Sequence, residues 1–509
     1  MKKTALIIML ITIFVKISGF AREILLSFYY GASEISDAYF ISITISGTVF
    51  SFIGVAISTS FIPMYSNISS QKNNTLADRF TSNVLNLILL LCLILVIIAV
   101  SFTDPLVRLF ASGFKGETFE LAVLFTRVAV LGIFFSGIMF LFNSYLQIKN
   151  NFVIPALMAI PQNIIIVLSI ILSSKSNVIY LAIGTTLAVV IQVFLTIPFV
   201  KRRNFRYNFI LDFRDGNIKK MIFLSLPIIL GVSINEINVL VDRTIASQVA
   251  IGGVSALNYA NRLILFIQGI FVMSIVTVMY PMISKMSSEG NLEGLKKSVS
   301  ESINSVNLLV VPITVGFLMF SNQIISILFG RGAFNEEAIV LTSSALFFYS
   351  IGIVGIGLRE VLSRVFYSLQ DTKTPMINAA ISLFINIILN LILSKYLGIG
   401  GLALATSVSA IIGVLLLFRS LKIKVVDIRL KGIGTTFIKV VIASVIMGII
   451  SKSIYANLLI NHGLTVSLFS SVLVAIITYF VLIYFMKIDV FYTLIDSLKR
   501  KIFKRGNIS

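Results

Sequence analysis

The chain has 509 residues, of which 57% are apolar and 12% are charged. Soluble domains carry about 25% charged residues, so this composition excludes a soluble globular protein. Apolar runs of about 20 residues recur along the chain, and they indicate membrane-spanning helices. The net charge of +20 is concentrated in short loops between these runs, which is typical of topology signals and not of nucleic-acid binding.

Fourteen candidate helices follow one another along the chain, so we predict an all-α polytopic membrane protein. Several exceed the ~20 residues that a span requires, and we expect these helices to tilt or project from the bilayer. The predicted ranges are 5–29, 36–65, 83–103, 118–147, 153–173, 178–200, 221–248, 254–284, 299–322, 336–369, 375–396, 400–419, 433–456 and 464–486.

The basic residues divide unequally between the two sides that alternate loops define. When residues within four positions of a predicted helix end are counted with the adjoining loop, the side of the N-terminus holds 27 of the 41 Lys and Arg residues and the opposite side holds six. Because cytoplasmic loops are rich in Lys and Arg, both termini are predicted to be cytoplasmic. This requires an even number of spans.

The two halves of the chain echo each other. The sequence DA (37–38) and IPMYS (62–66) match SA (255–256) and YPMIS (280–284), both at an offset of 218. RLFASGF resembles ILFGRGAF at an offset of about 219, and Pro155 corresponds to Pro375. An offset of six helices predicts a parallel repeat about an axis along the membrane normal.

This repeat predicts the domain organisation. Residues 1–200 form an N-lobe of helices 1–6, and residues 221–420 form a C-lobe of helices 7–12. A basic cytoplasmic linker at 201–220 joins them, helices 13 and 14 occupy 421–487, and a basic tail covers 488–509. Two such lobes predict a central cavity that opens alternately to each side, which is the organisation of a transporter.

Charged residues inside the first two spans are candidate substrate ligands. Lys16, Arg22 and Asp37 lie in otherwise apolar helices, where each charge costs at least ~2.5–3.5 kcal/mol at the helix centre. One interpretation is an internal salt bridge in which Glu23 and Asp37 neutralise the cations. The other is a cationic wall for an anionic substrate, because the planar guanidinium of Arg suits phosphate.

Two further groups of intramembrane charges occur in the second half. Arg262 lies in SALNYANRL and has no carboxylate within four residues, so we predict that it contacts a ligand or a cavity. Arg359, Glu360 and Arg364 lie close enough in sequence to pair with one another, which favours a structural role.

A candidate sodium site comprises Asp242, Asn386, Asn390 and Thr406. Carboxylate, amide and hydroxyl oxygens are the ligands of hard cations. Buried Asn and Thr also serve as interhelical hydrogen-bonding groups, and their spacing does not separate the two interpretations.

Catalytic chemistry has little support in the sequence. Cys92 and His462 are the only residues of their kinds, which excludes an intrachain disulfide and a His/Cys metal cluster. No nucleophile–base pair or phosphate-binding glycine loop stands out, so we predict a transporter without a cofactor and not an enzyme.

Six longer motifs are spread along the chain, namely GFAREILLSFYYGASEISDAYF (19–40), FIPMYS (61–66), PLVRLFASGF (105–114), SALNYANRL (255–263), GRGAF (330–334) and FYSLQDTKTP (366–375). Together they resemble the MurJ (MviN) lipid II flippase family of the multidrug/oligosaccharidyl-lipid/polysaccharide exporter superfamily. The match runs across the first twelve spans, and FYSLQDTKTP is its most specific part.

The resemblance implies a fourteen-helix bacterial inner-membrane protein that moves undecaprenyl-diphosphate-linked peptidoglycan precursor from the inner to the outer leaflet by alternating access. It implies lipid II or a similar lipid as the partner, with no nucleic acid, and we expect a monomer. Helices 13 and 14 resemble those that form a groove for the lipid tail.

The resemblance also assigns roles residue by residue. Lys16, Arg22, Asp37 and Arg262 match positions of the family's substrate cavity, where cations bind the diphosphate. The stretch TVFSFIGVAIS (48–58) lacks an Arg that the family often carries there.

The sodium site is implied in the same way. Asp242, Asn386, Asn390 and Thr406 resemble a sodium site of some family members, which implies Na⁺ as coupling ion. Asn390 stands where the family can carry an acidic residue, a replacement that weakens such a site.

Other functions remain open from the residues alone. A flippase for another polyprenyl-diphosphate-linked glycan would need the same cations. A drug or cation exporter on this scaffold would favour acidic and aromatic residues in its cavity. A non-transporting scaffold is disfavoured by the cost of buried charges.

Overall fold

The computed structural model describes residues 2–70, 74–203, 205–424, 430–488 and 491–492. Within these ranges the chain is helical and contains no strand, so the predicted all-α class is confirmed. Of the predicted tail at 488–509, only residues 488, 491 and 492 are described, and its basic part at 498–509 lies outside the described residues.

The chain divides into two compact units that are each described separately. The first unit comprises Met1–Asn258 and Arg331–Ala338, and the second comprises Tyr259–Gly330 and Ile339–Ser509. The first unit therefore includes more than the first sequence repeat, because residues 216–258 and the loop 331–338 pack with it.

The first unit contains eleven helices and the beginning of a twelfth among the described residues. A π-helical segment at Ile57–Phe61 connects α2 to α3. The bounds are α1 Lys2–Tyr30, α2 Glu34–Ala56, α3 Ile62–Ser70, α4 Asn74–Ser101, α5 Thr103–Phe110, α6 Gly116–Ala129, α7 Gly132–Ile148, α8 Val153–Leu157, α9 Ala159–Lys175, α10 Ile179–Lys201, α11 Gly216–Val249 and α12 Gly253–Ile267.

The second unit contains the remaining described helices. A π-helical segment at Gln268–Val272 connects α12 to α13, as in the corresponding helix of the first repeat. The bounds are α13 Met273–Ser288, α14 Leu292–Leu328, α15 Glu336–Ser368, α16 Lys373–Lys424, α17 Leu430–Asn461 and α18 Leu464–Phe485.

Ten helices of the described chain are long and apolar enough to cross a membrane, or up to twelve if each of two bent pairs is one span. The predicted count of fourteen is therefore not confirmed. The difference lies in α1, which is not among the ten, and in α16, which covers two predicted spans. Gly398 interrupts α16 with a φ of 55°, a left-handed conformation that glycine adopts at little cost.

Side chains of α4 hold the linker against the first unit. Asn83 exchanges two hydrogen bonds of 2.9 Å with the backbone of Asp212. Asn86 donates to the carbonyl oxygen of Ile210 and accepts from the Tyr207 hydroxyl, each at 2.8 Å. Backbone groups outside regular structure require such partners, so these two amides fix the path of the linker along α4.

The two C-terminal helices pack on α14 in the second unit. Their core includes Leu308, Val440 and Tyr479, and the Tyr479 hydroxyl donates to the Leu308 carbonyl oxygen at 2.6 Å. α14 is interrupted at Phe320, and Lys452 of α17 donates from Nζ to the neighbouring Met319 carbonyl oxygen at 2.9 Å. A lysine thus satisfies a carbonyl near the helix break.

The motif FYSLQDTKTP forms the turn between α15 and α16. Oδ1 of Asp371 accepts from the Thr374 backbone N–H at 3.0 Å, which caps the start of α16. Oδ2 accepts from the Thr374 hydroxyl and from Nζ of Lys424, at the other end of α16. This turn and the end of α16 therefore lie on the same side of the second unit.

Asp371→Asn is expected to lower the stability of the purified protein at neutral pH. The hydrogen bonds from Lys424 and Thr374 hold the pKa of Asp371 well below its usual range. A depressed pKa stabilises the folded state above pH ~4 and ceases to do so as the pH falls further. Because Lys424 is 45% exposed, we expect a loss of only about 1 kcal/mol at pH 7.

Thermal unfolding of both proteins at pH 7 and pH 3 measures this difference. The gap should be present at pH 7 and shrink at pH 3. Glu289→Gln is the matched control, because its pair with Lys285 is more exposed on both sides. An equal loss in the control variant, or a gap that does not change with pH, would contradict the assignment.

Candidate functional site

Arg22 is an intramembrane cation of the first unit whose side chain is held by two partners. Its side chain on α1 is 20% exposed, and Nη2 donates to Oε1 of Glu23 at 2.8 Å. Nη1 donates to Oδ1 of Asn163 on α9 at 3.2 Å. A guanidinium has five N–H donors, so Arg22 is oriented by two partners and retains donors for an anionic ligand.

Asn163 is a site residue that sequence reasoning missed. Besides accepting from Arg22, it donates from Nδ2 to the Ser18 hydroxyl at 2.8 Å. It is buried and lies 141 residues from Arg22 in sequence. The only sequence signal is a polar amide within an otherwise apolar span, which does not identify its partner.

Lys16 lies on α1, two turns before Arg22. It is half-buried, and within the described ranges it forms no ion pair or hydrogen bond. Six residues of helix separate the two cations by about 9 Å along the axis and ~120° around it. Both cations therefore belong to the same helix but do not share one line along its surface.

The Asp37 carboxylate accepts hydrogen bonds from groups of the protein itself. Its carboxylate at the start of α2 is buried, and Oδ2 accepts from the Gly252 backbone N–H at 2.8 Å. Oδ1 accepts from both the backbone N–H and the hydroxyl of Ser255 at 2.7 Å. Asp37 and Ser255 are the equivalent positions of the repeat, so corresponding points of the two halves bind each other.

Two glycine loops make a second pair of contacts related by the repeat. A Cβ on Gly113 would lie 2.1 Å from the Ser247 carbonyl oxygen, and one on Gly332 would lie 2.2 Å from that of Phe28. The glycines are 219 positions apart, as are Phe28 and Ser247. Each loop thus packs on the end of a helix from the other half, where no side chain fits. We call these two contacts and the Asp37–Ser255 pair the rim contacts.

The charged residues of the second unit show two different environments. Arg262 on α12 has an exposed side chain. Arg364 donates from Nη2 to Oε1 of Glu360 at 3.0 Å, one turn away on α15, while Arg359 is half-buried on the same helix.

The polar residues of α16 form a local network. Asn390 donates from Nδ2 to Oδ1 of Asn386 at 2.8 Å. Nδ2 of Asn386 lies 3.4 Å from the hydroxyls of Thr406 and Ser409. These bonds connect the two halves of α16 across the Gly398 break, which is the interhelical role expected of buried amides. Asp242 belongs to the first unit, on α11.

The stretch 48–58 contributes a polar contact although it lacks arginine. The Thr48 hydroxyl on α2 donates to Oε2 of Glu236 on α11. Glu236 is therefore another intramembrane acid of the first unit that sequence reasoning did not single out.

Known proteins match most of this chain. The family model described as lipid II flippase MurJ matches residues 26–475. A probable lipid II flippase MurJ of Thermotoga maritima is 30% identical over 440 residues, covering 86% of this chain and 87% of that protein. Another, from Buchnera aphidicola subsp. Baizongia pistaciae, is 29% identical and covers 82% and 83%, respectively.

Solved structures agree with these matches. The structure of lipid II flippase MurJ in an inward closed conformation is 30% identical, with a TM-score of 0.81, covering 94% of this chain and 98% of that chain. An inward-facing multidrug resistance MATE family transporter of the MOP superfamily has a TM-score of 0.71 at 17% identity, covering 83% and 98%. The second similarity shows the fold alone.

Proposed function

The chain belongs to the MurJ lipid II flippase family, and we propose that it moves lipid II by binding the diphosphate on its intramembrane cations. Membership makes the protein a multi-pass membrane transporter and not an enzyme. The observation that supports the binding mode is the geometry of Arg22, which two partners orient while other N–H donors remain for a ligand. Lys16 and Arg262 supply further positive charge.

We propose that transport follows alternating access. The rim contacts join parts of both sequence repeats within the first unit, and release of substrate on their side requires them to separate. Binding of the head group offsets the free-energy cost of keeping the cations inside the membrane. The polyprenyl tail stays in lipid or in a groove of helices 13 and 14. One chain carries both repeats, so we propose a monomer as the transport unit.

We propose an orientation in the bacterial inner membrane with both termini cytoplasmic, on the basis of the Lys and Arg distribution. The contact of Asn83 with Asp212 and that of Asp371 with Lys424 each join a loop to a helix residue at the end assigned to the cytoplasmic side. The rim contacts join helix ends and loops assigned to the opposite side. Both sets of contacts support the assignment of successive loops to alternate sides of the membrane.

We propose Na⁺ as the coupling ion, held by Asp242, Asn386, Asn390 and Thr406. The Thr406 hydroxyl and the Asn386 amide oxygen are of the kind that hard cations take, and Asp242 supplies the carboxylate. The ion would add positive charge at the site. The membrane potential acts on the empty cationic carrier as well, at ~2.3 kcal/mol per charge across 100 mV. Turnover in vesicles that ignored both Na⁺ and potential would contradict this scheme.

Arg262→Ala is expected to abolish rescue of a bacterium depleted of its own lipid II flippase, whereas the wild-type chain restores growth. The substitution removes a cation proposed to contact the diphosphate, and Arg262→Lys should restore part of the function because it keeps the charge. Growth is compared at equal membrane levels of each variant. Rescue by Arg262→Ala would remove Arg262 from the mechanism, and failure of a well-inserted wild-type chain would favour another polyprenyl-linked glycan.

A further inference from the structure

A groove of about 530 Å³ lies between α13 and α14 in the second unit, and none of the residues assigned to lipid II lines it. Its walls are mainly apolar and include Phe271, Val278, Met282 and Leu309. Its polar groups are four serines and one acid, namely Ser274, Ser298, Glu301, Ser302 and Ser305. Glu301 and the serines of α14 recur three or four residues apart, so they share one face of that helix.

The hydroxyl protons of these serines are already donated within the protein. Ser274 donates to the Ile270 carbonyl oxygen, and Ser302 donates to that of Ser298 at 2.7 Å. Ser305 donates to the Glu301 carbonyl oxygen at 2.7 Å. Ser298 donates to Sδ of Met286 at 3.4 Å. The polar groups that line the groove therefore offer hydrogen-bond acceptors to a ligand.

Glu301 adds a negative charge to this set of acceptors. Its side chain is exposed, and in the part of the chain that the structure describes it forms no ion pair. Lys296 pairs with Glu293, at 3.3 Å between Nζ and Oε1. Lys297, one turn before Glu301, makes no ion pair with it among the described residues. A carboxylate among acceptors complements a ligand that is both a cation and a hydrogen-bond donor.

The groove lies at the level of the membrane where a bilayer lipid would place its head group and the first part of its acyl chains. α14 has 37 residues and is about 55 Å long, which exceeds the ~30 Å hydrocarbon core. Its first ~10 residues, which include Glu293 and Lys296, therefore project beyond the core. This places Glu301 near the head groups, while Leu309 lies about 12 Å further along the helix, beside the acyl chains.

We propose that this groove binds a bilayer lipid whose head group carries a primary ammonium, as in phosphatidylethanolamine. The ammonium donates to the Glu301 carboxylate and to the serine oxygens, and an acyl chain follows the apolar walls between α13 and α14. The site is independent of the substrate cations, and lipid binding can be measured without transport.

Native mass spectrometry of the detergent-purified chain tests the site. The protein is mixed with equal amounts of phosphatidylethanolamine, phosphatidylcholine and phosphatidylglycerol. A charge-assisted hydrogen bond favours phosphatidylethanolamine over phosphatidylglycerol about tenfold. Phosphatidylcholine should bind less well than phosphatidylethanolamine, because its quaternary ammonium has no N–H. Glu301→Gln should bring the three lipids to within about twofold of one another.

Glu337→Gln is the matched control, since it removes the same charge at an exposed position outside the groove and should keep the preference. Unfolding temperatures of the variants identify a loss caused by misfolding. Val278→Phe narrows the groove and should reduce total binding of phosphatidylethanolamine while Glu301 is intact. Equal binding of all three lipids to the wild type, or an unchanged preference in Glu301→Gln, would overturn the proposal.

Discussion

Arg22→Ala is expected to abolish rescue of a bacterium depleted of its lipid II flippase. A hydrogen bond between charged groups contributes ~1.5–3 kcal/mol, which corresponds to about a 10- to 100-fold loss of substrate affinity. The substitution also removes the guanidinium that donates to Glu23, which is only 4% exposed, and a buried carboxylate that loses a cationic partner is destabilised.

Two further variants separate binding from folding. Arg22→Lys keeps the charge but loses the planar fork, so partial rescue is expected. Arg127→Ala removes another arginine of the first unit, whose pair with Asp104 is more than half exposed on both sides, and should rescue fully. Full rescue by Arg22→Ala at normal abundance would show that Arg22 does not bind the substrate.

Asp37→Ala is expected to have an effect of similar size for a different reason. It leaves the backbone N–H groups of Gly252 and Ser255 without their acceptor in a buried site, whereas the Ser255 hydroxyl can still donate to the Gly252 carbonyl oxygen at 3.0 Å. Each unsatisfied donor costs ~1–3 kcal/mol, enough to weaken the rim contacts strongly. The carrier should then fail to close on that side, and rescue should be lost.

Cysteine labelling measures this opening directly. Cys92 is the only native cysteine and is buried, so Ser247→Cys introduces a single reporter that is itself buried while the rim contacts are closed. Asp37→Ala should raise its reaction rate with a membrane-impermeant maleimide added from outside. Gly47→Ala is the control, since nothing lies within 4 Å of a Cβ at that position. An unchanged rate together with full rescue would show that Asp37 does not stabilise the closed rim.

The helices were largely predictable because apolar runs and charged loops determine which segments leave water. The boundary between the predicted helices 375–396 and 400–419 coincides with the break at Gly398, where the backbone of one glycine interrupts α16.

The residue types of the site could be predicted from the sequence, whereas the residues that contact them could not. The free-energy cost of placing a charge inside a membrane helix identified Arg22 and Asp37. Glu23, which is adjacent to Arg22, was recognised as a partner. The bonds to Asn163 and Ser255 cross 141 and 218 positions of sequence, which no local pattern specifies. The repeat showed that Asp37 and Ser255 are equivalent, but their contact depends on how the helix ends meet.

Transport of lipid II by the purified chain in vesicles tests the central claim most directly. Fluorescent lipid II is placed in the inner leaflet, and its appearance outside is measured with an impermeant quencher for the wild type, Arg22→Ala and Arg127→Ala. We predict that the wild type and Arg127→Ala move lipid II at similar rates and that Arg22→Ala does not exceed protein-free vesicles. Equal rates for the wild type and Arg22→Ala, or no transport by the wild type, would contradict recognition of the diphosphate by intramembrane cations.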